Sequence, residues 1–146
     1  MANITLDPNY GYVLLAATST FVMNTLHMLN TGKFRKAAKV PYPAAYAPDS
    51  RTDEAAIRFN CAQRSHAHFT ENQVSMLASL VLAGLQYPLT AAVMGLGWSV
   101  SRYLYMVGYS KGGDGKGRYN GATFYIFQLG LFCLTAYSGV AMVMGW

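Results

Sequence analysis

NQVSMLASLVLAGLQYPLTAAVMGLGWSVS, Asn72 to Ser101, runs for thirty residues without one charged side chain. About 20 residues of apolar helix cross a bilayer core, so the stretch is too long for a single crossing. It carries its own break at Gln86-Tyr87-Pro88. Proline suits the first position of a helix, and a short polar turn joins antiparallel helices, so the stretch reads as the heart of a helical hairpin. Two more charge-free stretches lie on either side, Pro8 to Gly32 and Tyr119 to Trp146, and each is long enough to cross once.

Composition agrees with that reading. Hydrophobic residues make up 53% of the 146 and charged residues 12%, against about a quarter charged in ordinary globular chains. A small soluble protein has too much surface to cover with so few charges. The aromatic content of 14% excludes a disordered chain, and two cysteines, Cys61 and Cys133, are too few for a disulfide scaffold. The expectation is an all-α integral membrane protein, one domain over residues 1–146, with spans near Tyr10–Leu29, Ala56–Leu85, Leu89–Tyr109 and Gly121–Gly145. Four helices in so short a chain imply a four-helix bundle. The first span makes a poor cleaved signal, because Asp7 but no Lys or Arg precedes it and no small-x-small site closes it.

All eleven Lys and Arg residues fall between Lys33 and Arg118. One group surrounds the loop between spans one and two (Lys33, Arg35, Lys36, Lys39, Arg51, Arg58, Arg64). The other surrounds the loop between spans three and four (Arg102, Lys111, Lys116, Arg118). Four alternating spans put both loops on one side, which the positive-inside rule makes cytosolic. The net charge of +5 then reflects orientation and anionic headgroups rather than nucleic acid, for which no motif is present. GYSKGGDGKGRYNG, with five glycines from Gly112 through Gly121, reads as the most flexible stretch.

Span two, about 30 residues, is longer than the core is thick, so its first turns project toward the cytosolic interface. They carry Asn60, Arg64, His68 and Glu71, spaced four, four and three, on one helical face. Arg102, Tyr105 and Tyr109 repeat the pattern at the same end of span three, so two polar stripes can converge on one cavity. Arg and Tyr at helix ends also snorkel or form interfacial belts, and Arg64 with Glu71 could simply staple helices. His66 and His68 are too lightly accompanied for a metal site, and no catalytic-triad pattern in the sequence accompanies Cys61, which reads as a packed thiol. A whole stripe of Arg, His and Glu at the membrane boundary is costly unless used, which points to a site for a charged small molecule.

FNCAQRSHAHFTE (Phe59–Glu71) resembles the second-helix signature of the MAPEG family, membrane-associated proteins of eicosanoid and glutathione metabolism, and most resembles its microsomal glutathione transferase type three branch. KFRKAAKVPYP (Lys33–Pro43), RYLYMVGY (Arg102–Tyr109) and GDGKGR (Gly113–Arg118) are similar to further family runs, in family order. The resemblance implies a homotrimer of four-helix bundles in the endoplasmic reticulum or another intracellular membrane. It implies glutathione as co-substrate, bound between neighbouring subunits near the cytosolic face. By position, Arg35, Arg64, His66, His68, Glu71 and Asn72 align with glutathione-contacting residues on helices one and two, and Arg102, Tyr105 and Tyr109 on helix three. Arg118 aligns with the arginine that activates the thiol, and Tyr105 is the second residue assigned to catalysis. His68 stands where asparagine is usual, and Asn72 where leukotriene C synthase has tyrosine, departures that bear on eicosanoid specificity rather than on glutathione.

These residue types suit that ligand. Arginine forks take carboxylates, and Glu71 can take the ammonium. A thiol is a poor nucleophile until ionised, and a nearby cation lowers its pKa by about a unit or more. The implied activity is a membrane glutathione transferase with glutathione-dependent lipid hydroperoxide reductase activity, whose acceptor, a lipophilic electrophile or lipid hydroperoxide, enters from the membrane lipid. Two other readings are a non-catalytic lipid-presenting scaffold and a four-span channel or transporter subunit. Arg64, Glu71, Tyr105 and Arg118 speak against the scaffold, which needs no thiol activator. The scarcity of polar residues in span four speaks against the channel.

Overall fold

The computed structural model describes residues 6–113 and 115–145. Asp114, within the GDGKGR run, and Trp146, at the end of the last apolar stretch, lie outside the described residues. Four long helices account for most of the chain: α1 (Tyr10–Ala38), α2 (Glu54–Gly84), α3 (Pro88–Gly112) and α4 (Phe124–Met144). Among the described residues there is no strand. Helices α2 and α3 pack against each other, and α1 and α4 each pack against that pair.

Helix α1 runs nine residues past the end expected for its apolar span. Lys33, Arg35, Lys36 and the two alanines are good helix formers and carry it onward. Lys39 then turns left-handed (φ 52°), its N–H reaching the carbonyls of Arg35 and Lys36, and Pro41 forbids continuation. Helix α2 begins at an acceptor cap: the Asp53 carboxylate takes the Ala56 N–H at 3.1 Å, satisfying a donor that the first turn leaves unpaired. Arg51 holds the same carboxylate at 2.8 and 2.9 Å and donates to the Ala38 carbonyl at 2.6 Å. One side chain thus ties the end of α1 to the start of α2. The expected hairpin is present, with α2 ending at Gly84 and Pro88 opening α3.

The glycine-rich segment departs from expectation. Lys116–Gly121 form a short 3-10 helix, and α4 starts only at Phe124, three residues later than the span placed from sequence. The glycines serve close approach. A Cβ on Gly121 would run into the Ser101 carbonyl oxygen and the Tyr105 amide nitrogen, and a Cβ on Gly117 into the Gly108 carbonyl. Backbone therefore lies on backbone where the 3-10 helix sits on α3.

The packing is inverted relative to a soluble fold. The core joins Val13, Phe69, Met76, Leu80, Trp98, Phe124 and Leu131, but it also encloses His27, Thr20, Ser65, Arg102 and Gln128. Outward faces are apolar: Leu89, Val93, Leu96 and Val100 form an exposed stripe on α3, and Ile126, Leu129 and Val143 are exposed on α4. Among the described residues, α1 and α4 are the two helices long and apolar enough to cross a membrane by length and composition alone. The four expected spans are therefore only half supported by hydropathy. Glu71-Asn72-Gln73 in α2 and Arg102 with its tyrosines in α3 pull those helices below that mark.

Candidate functional site

A pocket of about 290 Å³ opens where the C-terminal end of α3 meets the N-terminal half of α2 and the start of α4. It is lined by Arg64, His68, Tyr105, Tyr109, Arg118, Tyr119, Ala122 and Tyr125. Five of the ten residues singled out from sequence thus meet on one wall. Arg64 and His68 share a face of α2, one turn apart, and Tyr105 and Tyr109 share a face of α3. Arg118 comes in from the 3-10 helix, seated by the glycine contacts described above.

Arg64 forks onto Glu71 two turns along the same face, at 2.8 and 3.5 Å. Both side chains are half exposed, and such a pair is worth only about 0.2–1 kcal/mol. Each charge can therefore exchange its partner for an opposite charge on a ligand at little cost. Arg118 donates to Tyr119 Oη at 3.1 Å and lies 5.0 Å over that ring. The contact holds the Tyr119 phenol below its ordinary range and raises the Arg118 guanidinium above its own, so the pocket rim keeps a permanent positive charge.

Arg102 is fully buried behind this wall. Its guanidinium donates to His68 Nδ1 at 2.9 Å and to the Ser65 carbonyl at 3.4 Å. Among the described residues no carboxylate forms an ion pair with it, and the charge rests on four aromatic faces: Phe124 at 4.5 Å, Tyr105 at 4.7 Å, Phe69 at 5.6 Å and Trp98 at 5.7 Å. Cation–π attraction strengthens when water is excluded, which is how this burial is tolerated. Arg102, expected among the ligand contacts, thus does not line the pocket of its own chain.

Four more of the expected residues do not line the pocket of their own chain: Glu71, held against Arg64 as described, and His66, Asn72 and Arg35. His66 follows Arg64 by two positions, a rotation of more than half a turn on a helix, and so faces α1. There its Nε2 sits 3.4 Å from Asn24 Oδ1 and its ring 5.8 Å from the buried His27. Asn72 ties helices together, donating to the His68 carbonyl at 2.8 Å and accepting from Gln128 at 3.1 Å, while Gln128 accepts from the Trp98 indole at 3.1 Å. Arg35 donates to the Ala44 carbonyl at 2.7 Å and packs its guanidinium 4.4 Å over Tyr42 and 4.6 Å over Phe59. Asn60, first residue of the sequence stripe, also serves the loop, accepting the Ala47 N–H at 2.8 Å.

The model of the MAPEG family matches residues 13–143. The chain belongs to the MAPEG family. That family includes glutathione transferases and related glutathione-dependent enzymes, and the two apolar helices accord with its membrane setting. For a MAPEG protein the polar pocket is the natural place to look for chemistry, and sequence reading missed two of its walls. Tyr119 and Tyr125 line it, but tyrosines flanking a membrane helix are the common interfacial pattern. The only cue for Tyr119 was its place next to Arg118. For Tyr125 there was none, because nothing in the sequence says which face of α4 turns toward His68.

Proposed function

We propose that this chain is a membrane-bound glutathione transferase with glutathione-dependent lipid hydroperoxide reductase activity. The observation that carries the reading is the pocket wall on which Arg64, paired to Glu71, stands with Tyr105, Tyr109 and Arg118. Glutathione has two carboxylates, an ammonium and a thiol. Arg64 takes a carboxylate, Glu71 takes the ammonium, and Arg118, charged at any accessible pH, stabilises the thiolate. The Tyr105 hydroxyl, the second catalytic group, donates to the sulfur.

The thiolate attacks an electrophilic carbon, forming a C–S bond as the leaving group departs with its electron pair. With a lipid hydroperoxide it attacks the outer peroxide oxygen, the O–O bond breaks, and the alkoxide picks up a proton. The resulting sulfenic acid condenses with a second glutathione to give the disulfide and water. The acceptor arrives from the lipid side along the apolar outer faces of α3 and α4.

We also propose four crossings with both basic loops cytosolic, in an intracellular membrane such as the endoplasmic reticulum, and a homotrimer. The exposed apolar stripe on α3 supports crossing by that helix, whose polar content is turned inward. Assembly is the role proposed for Arg35, His66 and Asn72: they would complete the site at the boundary with a neighbouring subunit. Native mass spectrometry from detergent should show a trimer, and a stable monomer with full activity would remove this part.

Ultraviolet difference spectra on adding glutathione test the chemistry, because the thiolate absorbs where the thiol does not. Arg118→Leu should lose the thiolate band while retaining most glutathione affinity. Arg64→Leu should do the reverse, weakening binding and leaving bound thiol ionised. An Arg118→Leu protein with unchanged band and turnover refutes the assignment.

A further inference from the structure

The contact between Arg102 and His68 has only one possible direction. A guanidinium carries donors and no acceptor, so at 2.9 Å the His68 Nδ1 accepts. A neutral imidazole whose Nδ1 accepts carries its proton on Nε2. That nitrogen lies 3.3 Å from Tyr125 Oη, and with Nε2–H donating, the phenol oxygen accepts. The tyrosine O–H is then left to point elsewhere. Tyr125 is more than half exposed and lines the pocket, so elsewhere is the pocket.

We propose that Arg102, His68 and Tyr125 form a one-way hydrogen-bond chain that turns the Tyr125 hydroxyl into the pocket as a donor to an anionic group of the ligand. Arg102 and His68 are positioning residues, and Tyr125 is the group that touches. The chain couples three elements. Arg102 on α3 is clamped by its aromatic surround, His68 on α2 stacks on Tyr105 at 5.4 Å, and Tyr125 stands in the first turn of α4. Protonating Nδ1 would set an N–H against the guanidinium N–H, so His68 is a fixed donor and no shuttle. The other charged and titratable groups around it are Arg64 and Glu71 on α2, Tyr105 on α3 and Arg118 on the 3-10 helix. None of these lies between it and Arg102 or is hydrogen-bonded to either of its nitrogens.

The anionic group takes its identity from the glutathione reading: a thiolate or a carboxylate, both of which take a phenolic donor. The polarity of the chain does not depend on that reading. Nitrogen-15 NMR of the histidine side chains in the ligand-free protein, with His68 assigned from a His68→Gln variant, reads the tautomer. The Nε2–H form should persist from pH 6 to pH 8, and Arg102→Met should shift the signal to a mixture of forms. An Nδ1–H or doubly protonated His68 in the unsubstituted protein overturns the proposal, whether or not Arg102→Met folds.

The donor itself is tested with Tyr125→Phe, a change at an exposed position that removes one oxygen. A hydrogen bond to a charged group corresponds to about tenfold in binding. Loss of the thiolate band with S-methylglutathione affinity unchanged assigns the donor to sulfur. An equal, roughly tenfold loss of affinity for glutathione and S-methylglutathione assigns it to a carboxylate. No change in either sinks the proposal. If the unsubstituted protein bound no glutathione, the glutathione reading would fall, and the His68 tautomer would still decide the chain.

Discussion

Gly121→Ala should disable the pocket from a distance. The added Cβ would meet the Ser101 carbonyl oxygen and the Tyr105 amide nitrogen and Cα, all of them α3 backbone, so no flexible side chain can give way. Carbon atoms rest about 3.5–4.0 Å apart. Restoring that spacing lifts the 3-10 helix off α3 by on the order of 1 Å, and Arg118, three residues earlier, moves with it. A misplacement of that size costs as much as about 100-fold in rate, and overpacking of this kind destabilises by about 1–3 kcal/mol. The assay is turnover with glutathione and a model electrophile, beside the thiolate band and the detergent unfolding temperature. Gly11→Ala is the control, since Gly11 is helical and has nothing within 4 Å of a built Cβ; it should leave the thiolate band and turnover unchanged and hold or raise the unfolding temperature, because alanine favours the helix over glycine. A Gly121→Ala protein with unaltered thiolate band and unfolding temperature would refute the argument that these glycines seat Arg118.

Two further outcomes follow from the loop and the topology. Asp53 is held below its ordinary carboxyl value of 3.8, first by the Arg51 hydrogen bond and then by the Ala56 N–H. A depressed folded-state pKa stabilises above the unfolded value and loses that contribution as pH falls through the folded one. The unfolding-temperature gap between the native protein and Asp53→Ala should thus be full above about pH 5 and close below about pH 4, whereas a constant gap would exclude the linkage. For topology, Leu85→Cys, in the exposed turn between α2 and α3, can be placed on a background with Cys61 and Cys133 changed to serine. In sealed microsomes it should resist an impermeant thiol reagent until the membrane is opened, and ready labelling beforehand contradicts cytosolic basic loops.

How far the pocket could be read in advance depended on whether one helix sufficed. Arg64, His68 and Glu71 are related by spacings of three and four, which a single helix turns into a face, and they stand together as expected. His66 belongs to the same run but is two positions out of phase, so motif resemblance assigns it to the site while helical rotation turns it toward α1 within its own chain. Arg102 shows the opposite difficulty. Its place in a stripe with Tyr105 and Tyr109 was legible, but not its depth, because burial depends on Phe69 and Phe124 arriving from two other helices. The close backbone contacts of Gly117 and Gly121 were not legible in the glycine-rich segment, because the same residue serves flexible linkers and tight approaches and the facing surface is absent from the local sequence.

By itself the sequence determined that this chain is helical and built for a membrane, where the hairpin between α2 and α3 breaks, and which stretches of the chain gather its charge. These are properties of local composition and period, and water and lipid enforce them one segment at a time. Tertiary structure alone decided that Arg118 joins Arg64 in lining one pocket, that Tyr125 completes it, and that Arg102 is buried behind His68. Each of those depends on how helices distant in sequence are rotated and pressed together, and packing sets that rotation only when every helix is present at once.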